Sequence, residues 1–169
     1  MPTLLTGGFA VKIRVIHAAD ASMLQAFVRR LSVRSRRFRF FSGLVELPAQ
    51  MLQRFVDQDR DKGLALVALS ERLEGPAIVA EARYVVDPAE GHAEFALAVD
   101  DEFQRRGLGM RLLKTLVTHA ARRGVRRMFG EVLADNHAML GLAQRLGFKV
   151  QVNAMDRKTM IASIVPQGD

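Results

Sequence analysis

The chain has 169 residues, which is enough for one domain with a substantial core and too few for two domains of ordinary size. Apolar residues make up 49% and charged residues 25%, a composition typical of a water-soluble globular protein, and the absence of cysteine excludes disulfides, thiolate metal sites and a cysteine acyl-enzyme. The net charge of +7 favours an anionic partner, such as a phosphorylated cofactor, an acidic protein surface or nucleic acid.

The counts of individual residue types exclude further kinds of site and partner. The four histidines are scattered without metal-binding spacing, so we expect no metal site. With no tryptophan and one tyrosine, the chain lacks the aromatic platforms of single-strand binders, so we do not expect nucleic acid as a partner. No apolar run is long enough for a signal peptide or a membrane span, so we expect a cytoplasmic protein with no membrane partner.

The first elements are predicted from hydrophobic periodicity near the N-terminus. Residues 1–10 show none and are predicted to be a tail, whereas alternation over residues 11–15 predicts a strand. Apolar residues at helical spacing over residues 23–31 predict an amphipathic helix, with Asp20 as its N-terminal cap. Pro48 is predicted to open a second short helix.

Between these helices lies an unusual segment, residues 32–41, in which four arginines are interleaved with three phenylalanines. One interpretation is a surface that binds nucleic acid or a membrane. The favoured interpretation is a connection between helices, in which the phenylalanines fill the core while the arginines face a charged ligand.

The second half of the chain alternates strands with helices. Turn residues at 72–75 and 87–91 predict hairpins between successive strands. The predicted elements are, in order, strands at 63–69, 76–86 and 95–99, a helix ended by Gly124, a strand at 127–133, a helix at 137–146 capped by residues 135–136, and strands at 148–153 and 159–165.

A glycine-containing loop, Gln104 to Gly109, joins the apolar strand at 95–99 to the helix that follows. Strand, glycine loop and helix together aim backbone N–H groups and a helix N-terminus at an anion, and the glycines let the backbone approach a phosphate closely. The loop differs from a Walker loop, which ends in Gly-Lys-Ser/Thr. It also differs from a dinucleotide fingerprint, because Leu112 stands where a third glycine is needed. The alternative is a tight turn with no ligand.

The order of elements and these motifs resemble the GNAT superfamily of N-acetyltransferases. The family's acyl-CoA loop is Gln/Arg-x-x-Gly-x-Gly/Ala after an upstream valine, matched here by Val99 and residues 104–109, and its next helix is matched by Asn136 and Gly147. The resemblance implies an α/β (α+β) fold with a mixed, mostly antiparallel sheet of about seven strands, flanked by four helices and splayed at the acyl-CoA site. It covers residues 11–165, and leaves residues 1–10 and 166–169 as tails.

Residues 31–41 also resemble the Leu-Ser-x-x-Ser-x-x-x-Arg-Phe-Phe signature of Pat-type protein lysine acetyltransferases, which modify acyl-CoA synthetases. The resemblance therefore implies acetyl-CoA as cosubstrate and a protein lysine as acceptor, including one on an acyl-CoA synthetase. Two alternatives stay open. One is a small-molecule amine acetyltransferase, against which the basic segment argues mildly, and the other is a non-catalytic sensor that binds acyl-CoA.

The resemblance also implies which residues hold the cofactor. The loop would hold the pyrophosphate with its backbone N–H groups, and Leu97 and Val99 would hydrogen-bond the pantetheine, one of their N–H groups meeting the developing oxyanion. The predicted cofactor-binding residues are Leu97, Ala98, Val99, Gln104, Arg105, Arg106, Gly107, Leu108, Gly109, Met110 and Asn136.

Glu94 is the carboxylate inside the apolar strand, and the resemblance implies that it is the general base. A base is needed because a lysine with a pKa near 10.4 is almost wholly protonated at pH 7. Flanking by Ala93 and Phe95 predicts partial desolvation, which makes a carboxylate a better base. The structural alternatives for Glu94 are an ion pair with Arg83 or an exposed strand end, and Glu81 is the reserve candidate for the base.

One position departs from the family pattern. Many GNAT enzymes place a tyrosine four residues before the helix-ending glycine, where it protonates the leaving thiolate, but this chain has Ala143 there and Tyr84 as its one tyrosine. A water molecule, Asn136, or departure of an unprotonated thiolate remain the alternatives. Because the chain has no cysteine, we expect direct transfer within a ternary complex.

Overall fold

The computed structural model describes residues 2–72 and 74–168, which fold around one open, twisted sheet. Within these residues the sheet has eight strands in the order β1-β2-β3-β4-β5-β6-β8-β7, and all neighbours are antiparallel except β5 and β6. The strands are β1 (Thr3–Leu4), β2 (Ala10–Val15), β3 (Gly63–Arg72), β4 (Gly75–Asp87), β5 (His92–Val99), β6 (Arg127–Leu133), β7 (Lys149–Val152) and β8 (Thr159–Ile164).

Five α-helices in the described residues cover the two faces of the sheet. They are α1 (Ala21–Arg30), α2 (Val33–Phe40), α3 (Ala49–Val56), α4 (Leu108–Arg122) and α5 (His137–Arg145). Helices α4 and α5 pack on one face, where Ala93 and Phe95 of β5 belong to the core. Helices α1 and α3 pack on the other, where Ala98 joins the core. Alternate residues of β5 therefore point to opposite helical layers.

The predicted fold class is confirmed, with two additions. The sheet is mixed, mostly antiparallel and open, as expected, but it has eight strands and five helices rather than about seven and four. The extra helix is α2, which replaces the predicted connection. Ser32 caps it by accepting a 3.1 Å hydrogen bond from the N–H of Ser35, and none of its residues is fully buried. Phe40 is partly buried and packs against the core, whereas Phe41 is 44% exposed, so the phenylalanines of this segment fill the core only in part.

The extra strand is β1, which forms inside the predicted tail. Thr3 and Leu4 pair with Val11 and Ala10 of β2, and Leu5 is buried in the core beside them. A strand of two residues has no periodicity to detect, which is why the sequence predicted a tail.

Asp20 has a different role from the predicted one. Its carboxylate gives α1 no capping hydrogen bond, but accepts a 2.7 Å bond from the N–H of His17 and two bonds of 2.7 and 2.8 Å from Arg14. It therefore fastens the turn before α1 to strand β2. Asn136 and Pro48, by contrast, stand at the N-termini of α5 and α3 as predicted.

The strands β5 and β6 separate after a short paired segment. Their parallel pairing covers His92–Glu94 against 127–129, although β5 continues to Val99 and β6 to Leu133. Phe95 follows the last pair, and its ring occupies the space that a side chain at Gly130 would need, 2.7 Å from the position of a Cβ. The ring of Phe95 thus stands where the two strands begin to diverge.

Two further findings concern the described part of the chain as a whole. None of its helices combines the length and apolar character needed to cross a bilayer. It also contains no group of three or more histidine, aspartate or glutamate side chains positioned to hold a metal ion.

Candidate active site

The predicted glycine loop leads from β5 into the N-terminus of α4. Gly107 is the N-cap of α4 and adopts a left-handed conformation, with φ of 85°, which an L side chain rarely adopts. Arg105 is also left-handed, with φ of 59°. Gly107 has no side chain to cap α4, so the first N–H groups of this helix are directed outward at the end of the loop. This is the geometry that favours an anion.

Gly109 has a packing role that the sequence did not predict. A Cβ at this position would lie 3.0 Å from Leu142 of α5, 3.7 Å from Leu97 and 3.9 Å from Val99 of β5. The glycine therefore allows α4 to approach both β5 and α5 at the edge of the gap between β5 and β6. Gly107, in contrast, has open space where a Cβ would lie.

The two residues predicted to contact the pantetheine, Leu97 and Val99, lie on the part of β5 that continues beyond its pairing with β6. The N–H of Asp100 donates a 2.8 Å bond to Val79 of β4, and successive residues of a strand face opposite edges. The backbone groups of Leu97 and Val99 therefore point into the gap, whereas those of Ala98 point toward β4. The side-chain amide of Gln104 donates a 3.0 Å bond to the carbonyl of Val99 and so ties the loop to this edge.

Glu94 is the last residue of β5 that pairs with β6, so it stands at the closed end of the gap. Its side chain lies on the sheet face opposite α4 and is exposed, which contradicts the predicted desolvation. The alternative ion pair with Arg83 is also wrong, because the register places Val85 opposite Glu94 and Arg83 pairs with Glu81. A solvent-accessible carboxylate at this position can accept a proton from a group that enters along the same face.

Glu81 has the opposite environment. It is buried between Arg83, whose Nε donates to one carboxylate oxygen, and Arg39 of α2, whose Nε lies 3.3 Å from the other. Burial alone would raise the pKa of Glu81, but attraction and hydrogen bonding by Arg83 and Arg39 outweigh it and hold the pKa below the ordinary value. This environment makes Glu81 a poor general base.

Phenylalanine rings enclose the Arg39–Glu81–Arg83 cluster. The guanidinium carbon of Arg83 lies 4.0 Å from the ring centre of Phe55, and that of Arg39 lies 4.8 Å from Phe40. In the sheet, Glu81 and Arg83 stand opposite Ala98 and Ala96 of β5. The cluster therefore lies on the same face of the sheet as Glu94. Its two arginines and one glutamate give it a net charge of +1.

Ser32 and Ser35 connect helix α2 to the glycine loop and to the residue Asp101 that precedes it. Asp101, just before the loop, accepts bonds of 3.0 and 2.7 Å from the N–H and hydroxyl of Ser32 and one of 2.9 Å from the hydroxyl of Ser35. Burial raises the pKa of Asp101, but these hydrogen bonds outweigh it and the pKa is lowered. Ser35 also accepts a 3.2 Å bond from the amide of Gln104. The serines of the Leu-Ser-x-x-Ser signature thus hold the loop.

The opposite side of the gap is formed by β6 and α5. Asn136 accepts a 3.2 Å bond from the N–H of Met139 through its side-chain oxygen, which leaves the NH₂ group as its remaining donor. Asp135 forms a 3.0 Å ion pair with Arg37 of α2, so α2 is tied to both sides of the gap. Ala143, at the family's tyrosine position, is buried against the core.

Tyr84 cannot take the place of that missing tyrosine. Its hydroxyl lies 2.7 Å from Nδ1 of His119 on α4, and its ring belongs to the core on the α4 face. Burial raises the pKa of Tyr84, and burial together with Arg123 and Arg122 lowers that of His119. The pair therefore stays neutral near pH 7 as a structural contact away from Glu94.

The structure adds site residues that sequence reasoning missed. Hydrogen bonds that span 42 to 69 residues of sequence join Arg39, Asp101 and Ser35 to the site. Arg83 joins it through its local pair with Glu81. Arg39 and Ser35 belong to the serine and arginine signature, which was a usable signal. Asp101 carried none, because its partners are distant in sequence.

Comparisons with known proteins agree with this architecture. A model of the acetyltransferase (GNAT) family matches residues 28–148, more than half of the chain. An acetyltransferase of Pseudomonas aeruginosa is 32% identical over 157 residues, covering 93% of this chain and 84% of that protein.

Comparison with solved structures also finds proteins of the same fold. The GNAT domain of Streptomyces lividans Pat superposes with a TM-score of 0.85 at 27% identity, covering 98% of this chain and 96% of that one. A Salmonella typhimurium protein solved with its cofactor acetyl-CoA shares the fold, with a TM-score of 0.73 at 18% identity and coverage of 94% and 95%.

The predicted resemblance to Pat-type domains and the predicted acetyl-CoA cosubstrate are thereby confirmed. Three observations identify the family. Strands β5 and β6 diverge beside the N-terminus of α4, the family model spans these strands and this helix, and the relative from Pseudomonas aeruginosa is an acetyltransferase. This chain belongs to the GNAT family of acetyltransferases and uses acetyl-CoA as its cosubstrate.

Proposed function

We propose that this enzyme transfers the acetyl group of acetyl-CoA directly to the amine of a protein lysine, with Glu94 as the general base. The observation that carries the proposal is the gap between β5 and β6, which opens beside the N-terminus of α4 and closes at Glu94. One end of the gap suits an anionic cofactor, and the other end presents an accessible carboxylate.

The cofactor would lie along the loop and the exposed edge of β5. The N–H groups from Gly107 to Met110 suit the pyrophosphate, and the backbone of Leu97 and Val99 suits the amides of the pantetheine. An N–H on the same edge would donate to the carbonyl oxygen as negative charge develops on it. Gln104 contributes by holding the loop against Val99 and Ser35 rather than by a charge of its own.

The acceptor amine would approach on the face that carries Glu94. Glu94 accepts the ammonium proton of the lysine, directly or through one water molecule, and passes it to solvent, so that the neutral amine can attack the thioester carbonyl. As the C–N bond forms, the nitrogen loses its second proton to Glu94 by the same route, and the C–S bond breaks to release the thiolate of CoA. The excess positive charge of Arg39 and Arg83 on this face disfavours the protonated form of an amine brought next to it. Release of an unprotonated thiolate is consistent with Ala143 at the position of the family's tyrosine.

The surface of α2 supports a macromolecular acceptor. Arg34 and Arg37 are exposed, and Val33, Phe41 and Val45 are exposed beside them, at 73%, 44% and 63%. Basic and apolar groups in one patch suit the acidic and apolar surface of a folded protein better than a free polyamine, for which an acidic pocket is expected. An acyl-CoA synthetase is the first acceptor to try.

The test is a screen of labelled acetyl-CoA against a cell lysate and a purified acyl-CoA synthetase, resolved by gel, with Glu94→Gln as the matched control. We expect labelled protein bands with the unaltered enzyme that are lost with Glu94→Gln. Release of CoA with small amines alone would contradict a protein acceptor. Binding of acetyl-CoA without release of CoA for any amine would make the chain a sensor.

A further inference from the structure

The N-terminal arm, defined as residues 3–9, lies against the cofactor loop. It is folded onto itself by a 2.8 Å bond from the N–H of Leu5 to the carbonyl of Phe9 and is held to the sheet by β1. The ring of Phe9 packs edge-on against Phe103, with 5.2 Å between centroids. These contacts bring the arm to the residues that immediately precede Gly107.

Arg106 is the loop residue that makes the main contacts with the arm. Its guanidinium carbon lies 3.9 Å from the ring centre of Phe9, and its Nη1 donates a 3.4 Å bond to the carbonyl of Thr6. The N–H of Thr6 donates a 3.3 Å bond back to the carbonyl of Arg106. The Nε of Arg106 donates a 3.0 Å bond to the carbonyl of Glu102 at the start of the loop. Both the backbone and the side chain of Arg106 are thus fixed.

The contacts between the arm and Arg106 help to fix the backbone conformation of the loop. Arg106 lies between two left-handed residues, Arg105 and Gly107, whose backbone angles set the direction of the first N–H groups of α4. A left-handed non-glycine residue such as Arg105 persists where surrounding contacts fix it. A binding loop that is already held in its bound geometry loses less conformational freedom on binding, and its affinity is higher for that reason.

We infer that the N-terminal arm is a positioning element of the cofactor site, which pre-organises residues 104–109 through Arg106. The inference rests on the proposed function, in that the loop holds the pyrophosphate. It gives Arg106 a role through the backbone of the loop, and it extends the cofactor site to residues that lie outside the 28–148 family match.

Two adjacent glycines of the arm provide a matched pair of variants. Gly7 and Gly8 are both left-handed, with φ of 88° and 81°, so alanine strains the backbone similarly at either position. A Cβ at Gly7 would lie 2.6 Å from Nη1 of Arg106 and would displace the guanidinium, whereas a Cβ at Gly8 would have no atom within 4 Å. The difference between Gly7→Ala and Gly8→Ala therefore isolates the contact between the arm and Arg106.

The experiment is titration of CoA into each full-length variant by calorimetry, with the melting temperature measured alongside. We expect Gly7→Ala to raise the Kd for CoA roughly three- to ten-fold over Gly8→Ala at a similar melting temperature, because the loop is then less pre-organised. Phe9→Leu removes the ring beneath the guanidinium while keeping apolar volume, and should raise the Kd in the same direction.

Three results would overturn the inference. Equal Kd values for Gly7→Ala, Gly8→Ala and the unaltered protein would show that the arm does not act on the cofactor site. Equal weakening by both glycine variants would assign the effect to backbone strain rather than to Arg106. Failure of the unaltered protein to bind CoA would instead refute the proposed function, and the positioning role with it.

Discussion

Glu81 and Glu94 lie on the same face of the sheet, but their different environments suit them to different roles. Glu81 and Glu94 lie on adjacent strands, β4 and β5, but Glu81 is buried with two arginines while Glu94 is exposed at the end of the paired segment. The sequence could place both on strands facing the same way. It could not show which one is buried, because Arg39 reaches Glu81 from 42 residues away.

The first prediction concerns the stability role of Glu81. In Glu81→Gln, Arg39 and Arg83 lose their counter-charge in a buried site, so the free energy of unfolding should fall by about 3–5 kcal/mol. Glu94→Gln is the control, since an exposed substitution should change it by no more than about 0.5 kcal/mol. Urea denaturation of both variants is the measurement. Equal stability of the two variants would contradict the structural role of the cluster.

A second prediction concerns the two ends of helix α4. Gly107 and Gly124 are both left-handed, with φ of 85° and 72°, and both have open space where a Cβ would lie. Alanine at either position should therefore cost a similar amount, about 1–2 kcal/mol of stability. Because Gly107 alone belongs to the proposed cofactor loop, Gly107→Ala should also weaken CoA binding severalfold. Calorimetric titration checks this, and equal CoA affinity of the two variants would contradict the position of the loop.

The element that sequence analysis predicted best is α4, and the one it missed is α2. Leu112, Leu113 and Leu116 form an apolar stripe that is wholly buried, so periodicity reveals α4. Helix α2 has no buried residue and no such stripe. It depends on the Ser32 cap and on contacts with Asp101 and other residues distant in sequence, which no local pattern contains.

A third prediction concerns the exposed face of α2. If this face docks an acidic protein surface, Arg34→Glu should raise KM for the protein acceptor several-fold and leave the affinity for CoA unchanged. Arg122→Glu on α4 is the control, since it makes the same charge change at an exposed position on the opposite face. Steady-state kinetics with the labelled acceptor provide the measurement. Parallel changes in acceptor KM for both variants would assign the effect to net charge alone.

For the fold as a whole, the sequence patterns predicted the sheet, the helical layers and the glycine loop before α4, but not the contacts that distant segments make around the site. Residues 3–9 reach Arg106 from about a hundred positions away, and Arg37 reaches Asp135 from 98. Hydrophobic patterns report which face of an element is buried. They carry no information on which polar side chains of distant elements will meet.

A fourth prediction follows from the ionisable groups of the whole fold. The pKa of Asp20 is lowered mainly by hydrogen bonds from Arg14, that of Asp135 mainly by Arg37, and that of Glu81 by its arginines in spite of burial. A carboxyl whose folded pKa is lowered adds stability above its unfolded pKa, near 4, and loses it as the pH falls through the folded value. The free energy of unfolding should therefore drop steeply below about pH 4.

The alkaline limit has the opposite sign. Burial raises the pKa of Tyr84, so its contribution is fully present below the unfolded value near 10 and is lost as the pH rises through the folded one. Chemical denaturation at intervals from pH 3 to 11 should show a plateau near neutrality. A free energy of unfolding that kept rising below pH 4 would contradict the assigned ion pairs.

In the proposed mechanism, the gap between β5 and β6 brings acetyl-CoA and an amine to Glu94. The most direct test of this mechanism is the pH dependence of kcat for Glu94→Gln with an acceptor found in the labelling screen. We predict that kcat at pH 7 falls by roughly two to four orders of magnitude with CoA affinity preserved, because the base is removed and the shape is kept. The deficit should shrink as the pH rises toward the pKa of lysine, since more of the amine is then neutral. A near-normal kcat at pH 7, or a deficit that is constant with pH, would contradict Glu94 as the base.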